Sequence, residues 1–211
     1  MHGIDLDVFH PPCAGEDDFA SSGLPGRFAV GCFGRIRHQK GTDLFVDAMI
    51  ELLPQFPDWT AVITGRATVE NRAFAQALKD RIEKAGLSDR IVFLGEVPDV
   101  KVWFRRLSLY VAPSRNEGFG LTPLEAMASR TPVIASDAGA YAEMVLPGET
   151  GAVVPAGDGE ALKNAIRTYL TDPSLAEEHG RQALAHVQRH FPLSREAEGI
   201  AKAYDSLWSR R

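Results

Sequence analysis

Apolar residues fall into two alternating patterns along the chain. Short unbroken runs, many of them β-branched, occur in "RFAVGCFGR" (27–35), "WTAVITG" (59–65), "RIVFLG" (90–95), "LYVAPS" (109–114), "PVIAS" (132–136) and "GAVVPA" (151–156). Strands buried on both faces read this way, because neither face has to be polar. Between these runs, apolar positions recur at three- and four-residue spacing. "TDLFVDAMIELLPQF" (42–56) sets Leu44, Phe45, Ala48, Met49, Leu52 and Leu53 on one stripe, with Thr42 or Asp43 as the N-cap. Residues 70–85 set Phe74, Ala77, Leu78 and Ile82 on one face and stop at Gly86. Short helices are expected over "VKVWFRRL" (100–107), "LTPLEAMASR" (121–130) and "YAEMV" (141–145). Three further helices are expected over about 158–171, 173–190 and 194–209.

The alternation predicts an α/β fold: a Rossmann-like parallel sheet of about six strands, with helices on both faces and C-terminal helices. Ligands of such sheets sit beyond the carboxyl ends of the strands. The loops after Phe33, Ile63, Phe93, Val111 and Ile134 are therefore where chemistry is expected.

Composition narrows the class. The 211 residues suit one large domain or one domain with a helical appendage. The division read here is an opening segment and linker over 1–26, the sheet domain over 27–191, and a C-terminal helix over 192–211. The opening "MHGIDLDVFHPP" reads as a strand-to-loop passage from inside a longer chain. A net charge of −5 supplies no global basic field, so no nucleic-acid partner is expected. The two cysteines, Cys13 and Cys32, read as free thiols, and the six histidines show no metal spacing. No apolar run reaches the length of a membrane span.

The loop after the first strand reads "GRIRHQKG". Gly34 permits a close turn, and Arg35 and Lys40 stand five positions apart before Gly41 opens a helix. Such a turn suits a phosphate or diphosphate, or is a solvated basic loop. It is neither a Walker loop nor GxGxxG. Arg66, in "TGRATVEN", reads first as a surface arginine, with a phosphate or base contact as the alternative. After the fourth strand, "PSRNEGFGLTPLEAMA" sets Glu117 just before a helix and Glu125 about one turn inside it. The backbone N–H groups of Gly118, Phe119, Gly120 and Leu121 are expected to point out of that helix start. Two carboxylates facing one cleft accept paired hydrogen bonds, which the vicinal hydroxyls of ribose or hexose supply. In "SDAGAYAEMV", Glu143 is expected to bond loop N–H groups. Asp17 and Asp18 read as a solvated acidic loop and not as a metal site. Trp103 and Phe104 are expected to pack on the sheet beside solvated Arg105 and Arg106.

Taken together, "HGIDLDVFHP", "FGRIRHQKG", "APSRNEGFGLTPLEAMA" and "VPAGDGEAL" resemble the donor-binding half of the retaining GT-B glycosyltransferases. The wording looks closest to the lipopolysaccharide-core mannosyltransferases of Gram-negative bacteria. The resemblance implies a nucleotide-sugar donor, GDP-mannose before UDP- or ADP-hexose, with no metal and no further cofactor. It implies Arg35 and Lys40 on the donor diphosphate, Glu117 on the hexose hydroxyls and Glu125 on the ribose. It also implies the N–H groups of Phe119, Gly120 and Leu121 on phosphate and sugar, and Val97 beside the base. Where the family often has a second glycine this chain has Arg66, and where it usually has asparagine, His2.

The resemblance further implies an N-terminal domain that binds a lipid-linked or saccharide acceptor, so that this chain is inactive alone. The last helix would cross to that domain and leave Trp208 exposed here. A cytoplasmic enzyme is implied, with peripheral attachment of the full-length protein to the inner face of the membrane. Two other readings stand beside this one: a nucleotide-sugar binding module without catalysis, and an unrelated doubly wound protein that binds a flavin or nucleotide.

Overall fold

A computed structural model describes residues 2–13 and 18–208, with the backbone alone for 203 and 205–207. All six predicted strands form: β1 (Phe28–Phe33), β2 (Trp59–Thr64), β3 (Ile91–Gly95), β4 (Leu109–Ala112), β5 (Val133–Ser136) and β6 (Gly151–Val154). They make one sheet in the order β3-β2-β1-β4-β5-β6, every neighbouring pair parallel. The order reverses between β1 and β4. At such a switch point the two flanking loops run to opposite sides and leave a crevice between them.

The helices are α1 (Thr42–Leu52), α2 (Arg72–Lys84), α3 (Val100–Arg106), α4 (Thr122–Ala128), α5 (Tyr141–Met144), α6 (Gly159–Thr171), α7 (Pro173–His190) and α8 (Leu193–Trp208). Side-chain alternation along the strands divides the core in two. Val30, Cys32, Ala61, Ile63, Leu109, Val111 and Ile134 pack against α1, α2 and α6. Ala29, Phe33, Val62, Tyr110, Ala112, Val133 and Ala135 pack against α3, α4, α5 and α7. Both faces of every central strand are covered, which is why the strands read as unbroken apolar runs.

Several local expectations need correction. The N-cap of α1 is Gly41 at φ 69°, with no side-chain cap from Thr42 or Asp43. A side chain there is excluded, because a Cβ would meet the Pro113 carbonyl oxygen at 1.9 Å. On α2 the buried residues are Ala75, Leu78 and Ile82, and Ala77 faces solvent. Within the stretch expected to be loop, Phe19–Ser22 form a 3-10 turn capped by Asp18, and Phe19 is buried. Asp17 lies outside the described residues. Ile4 is also buried, donating its N–H to the Phe191 carbonyl (2.7 Å) and accepting from the Leu193 N–H (3.1 Å). As expected, Phe104 is fully buried; Arg106, expected to be solvated, is instead half-buried, lying over the Trp103 ring and donating to the Ser21 hydroxyl at 3.1 Å. Cys32 is buried and Cys13 exposed, both as free thiols, and burial pushes the Cys32 thiol up to about 12.

Along α8, Leu193, Ile200, Tyr204 and Trp208 all face solvent, Trp208 at 79% exposure. Their spacing sets them on one side of the helix, an apolar stripe of the kind that marks an interaction surface. No helix among the described residues is long and apolar enough to cross a membrane.

Candidate active site

The crevice at the β1/β4 switch is built by the turn after β1 and the loop after β4. Both are tightly anchored. Arg115 pairs with Asp43 through two 2.7 Å bonds and donates a third to the His38 carbonyl. The Arg115 N–H donates to the Gln39 carbonyl at 2.8 Å. Burial pushes the Asp43 carboxyl up, but the Arg115 guanidinium outweighs it and holds the group below its ordinary value.

This anchoring brings Lys40 and Glu117 into a direct ion pair, both side chains mostly buried. The same Glu117 oxygen accepts from the Tyr141 hydroxyl at 3.0 Å and the Ser114 hydroxyl at 3.4 Å. Its second oxygen accepts from the Gly118 N–H at 3.2 Å. Burial raises the Glu117 carboxyl, yet the Lys40 ammonium and these donors more than offset it, so the group sits below its ordinary value. Lys40 and Arg35 line a small recess with Tyr110, Ser114 and Tyr141.

A larger cleft of about 610 Å³ opens beside it, lined by Gly34, Arg35, Gly65, Arg66, Val97 and Glu125 among others. Gly65 is at φ 123°, and a Cβ there would meet the Gly34 carbonyl oxygen at 1.9 Å. The two loops touch backbone to backbone, which only glycine permits. Arg35 is exposed and makes no ion pair among the described residues. Arg66 lies 3.6 Å from Glu96, both well exposed. The Glu125 carboxylate has no side-chain partner among the described residues, and burial pushes it up to about 7.

The two glutamates differ from expectation in one respect. Glu125 lines the large cleft, whereas the Glu117 carboxylate is engaged by Lys40, which lines the smaller recess beside it. The intervening turn keeps its donors available. Among the described residues, no hydrogen bond is made by the N–H groups of Phe119, Gly120 and Leu121. Phe119 packs edge-on against the His2 ring at 4.7 Å, and His2 bonds Glu196 of α8 at 3.0 Å. Glu143 does not bond loop N–H groups; it is exposed, and Asp137 takes that role by accepting from the Ala156 N–H at 2.8 Å. No group of three or more metal-ligating side chains occurs among the described residues.

Sequence reasoning missed Tyr141, Ser114, Arg115 and Asp43 as members of this site. Arg115 and Asp43, the latter in the first turn of α1, lie 72 positions apart, so no local pattern pairs them. Tyr141 carried no signal either, since an aromatic in a short helical turn reads as core.

Comparison with known proteins agrees with the geometry. Residues 15–186 match the family described as glycosyl transferases group 1. The chain is 68% identical over 207 residues to the lipopolysaccharide core biosynthesis mannosyltransferase LpcC of Rhizobium leguminosarum bv. viciae, covering 98% of this chain and 59% of that protein. It is 49% identical to the lipopolysaccharide core biosynthesis mannosyltransferase LpsB of Rhizobium meliloti, covering 98% and 60%. The crystal structure of the C-terminal domain of LpcC from Francisella tularensis superposes with a TM-score of 0.86 at 34% identity, covering 90% of this chain and all of that one. The chain spans about three fifths of the length of the curated relatives it matches. Its six-stranded parallel sheet, its switch-point site and these matches make it a member of the group 1 glycosyltransferase family, with the fold of the C-terminal half of a GT-B enzyme.

Proposed function

We propose that this chain is the nucleotide-sugar-binding half of a retaining hexosyltransferase that moves mannose from GDP-mannose to a lipopolysaccharide-core acceptor. The observation that carries the reading is the placement, in one cleft, of Glu125 and Arg35, a carboxylate and a cation that have no side-chain partner among the described residues. A carboxylate accepts hydrogen bonds from the two hydroxyls of a ribose, and a guanidinium in the same cleft donates to its phosphates. Mannose and the core acceptor are supported by the names of the two rhizobial relatives.

In the proposed reaction the bond between the anomeric carbon and the diphosphate oxygen breaks, and its electron pair leaves with the diphosphate. An acceptor hydroxyl forms the new bond on the same face, and its proton passes to the departing diphosphate. Arg35, Lys40 and the N–H groups of Phe119, Gly120 and Leu121 stabilise the developing negative charge, each well-placed donor contributing about 3 kcal/mol. Those cations would serve where other transferases use a divalent metal. Glu117 holds the hexose hydroxyls, the open space at Gly118 lets the sugar approach the backbone, the Gly120 N–H contacts the donor, and Val97 and Arg66 flank the base.

The acceptor would be bound by an N-terminal domain packed on the apolar stripe of α8. The assembled enzyme would work in the cytoplasm, peripherally attached to the membrane. A transfer assay with GDP-mannose, run in a chelator, tests this. The chain alone should bind donor without turnover, and joining an N-terminal half should restore transfer. Full turnover by the chain alone would contradict the half-enzyme reading, and metal-dependent turnover the metal-free one.

A further inference from the structure

The donor reading leaves one problem. Glu117 is held by Lys40, yet the same ammonium is needed by the donor diphosphate. When Lys40 turns to the phosphate, something else must keep the Glu117 carboxylate ionised and aimed. We infer that Tyr141 is that positioning residue: its hydroxyl, 3.0 Å from Glu117, fixes the carboxylate toward the sugar while Lys40 serves the diphosphate. The inference rests on the donor reading for its purpose, and on geometry for the contact.

The geometry is tight on every side. Tyr141 is 1% exposed and opens α5, and its hydroxyl lies under the turn that carries Glu117. A Cβ on Gly120 would come within 2.6 Å of the Tyr141 ring and 2.8 Å of its hydroxyl oxygen. A Cβ on Gly139 would come within 2.3 Å of the Glu117 carbonyl oxygen. The Ala140 N–H donates to the Gly118 carbonyl at 3.2 Å, so the start of α5 and the Glu117 turn form one block. Glycine at 120 and at 139 therefore makes room for this tyrosine against this glutamate. Burial and the Glu117 charge raise the phenol well above the usual tyrosine range, so it remains a proton-bearing donor at all working pH values.

The test is Tyr141→Phe, which keeps the ring and removes only the hydroxyl. In the free protein, the Glu117 carboxylate followed by carbon NMR should titrate roughly one unit higher in the variant. In calorimetry the variant should bind GDP as the wild type does, while the preference for GDP-mannose over GDP falls about tenfold. An unchanged Glu117 titration, or equal loss of both ligands, would overturn the inference. If the wild type binds neither ligand, the donor reading fails, and the titration alone decides the contact. Should the variant prove too unstable, the Tyr141 ring-carbon shift in the wild type must follow the Glu117 titration, and its failure to do so would equally refute the contact.

Discussion

Arg115 and Asp43 form a two-pronged ion pair, both bonds 2.7 Å, that joins the turn carrying Lys40 to the loop carrying Glu117. The partners lie on either side of the switch point, and Lys40 meets Glu117 where this pair ties the start of α1 to the loop after β4. Arg115→Ala would strand a largely buried carboxylate and cost about 1.5–3 kcal/mol. Arg115→Lys should recover only part, because an ammonium cannot match the fork geometry. The sign of the pH effect follows from Asp43. Its folded value is depressed below 3.8, so the stabilisation is present above that pH and lost as pH falls through the depressed value. Urea unfolding of wild type and Arg115→Ala should differ fully at pH 7 and converge at strongly acid pH.

Glu125 behaves in the opposite sense. Burial raises its carboxyl from 4.5 to about 7, so its contribution is most favourable below 4.5 and is lost as pH rises through 7. Ionised and unpartnered, it costs the fold about 3 kcal/mol. Glu125→Gln should therefore be more stable than wild type at pH 8, by up to that amount, and the gap should close toward pH 4.5. The same change should weaken nucleotide binding, and the wild-type gain in affinity from pH 6 to 8 should vanish in the variant. Paired thermal melts and binding isotherms across that range check both halves.

These two carboxylates also show what was legible in the sequence. The strands were, since burial on both faces forces unbroken apolar runs such as "FAVGCF", and the ligand end of the sheet followed. The position of Glu125 on the cleft was legible because its helix follows the carboxyl end of a strand and faces the turn that carries Arg35 and Lys40. The partners of Glu117 were not. Tyr141 reaches it from 24 positions away and Lys40 from 77, and no local pattern encodes which loops a switch point brings together. The same holds for the α1 cap: Asp43 looks like a capping residue until Arg115, 72 positions on, draws its carboxylate away.

Arg130 occupies the left-handed region at φ 64°, as the residue that ends α4. The Arg130 N–H bonds the Met127 carbonyl and the Thr131 N–H the Ala126 carbonyl, both at 3.0 Å. This is the helix-ending arrangement in which glycine is preferred, because a Cβ is strained there. Arg130→Gly should raise stability by about 0.5–1 kcal/mol, the relief of strain outweighing the added freedom of the unfolded chain. A rise of a few degrees in Tm would register it, and a fall would show that the arginine side chain makes a stabilising contact.

The central claim is that the switch-point cleft binds a nucleotide sugar through Glu125. Titration calorimetry of this chain with GDP-mannose, UDP-glucose and ADP-glucose, repeated on Glu125→Ala, tests it most directly. GDP-mannose should bind most tightly, and the variant should lose roughly 1.5–3 kcal/mol, about ten- to a hundredfold. Tighter binding of UDP-glucose would move the donor to a uridine nucleotide. Binding of no sugar nucleotide, or equal binding by Glu125→Ala, would contradict the account.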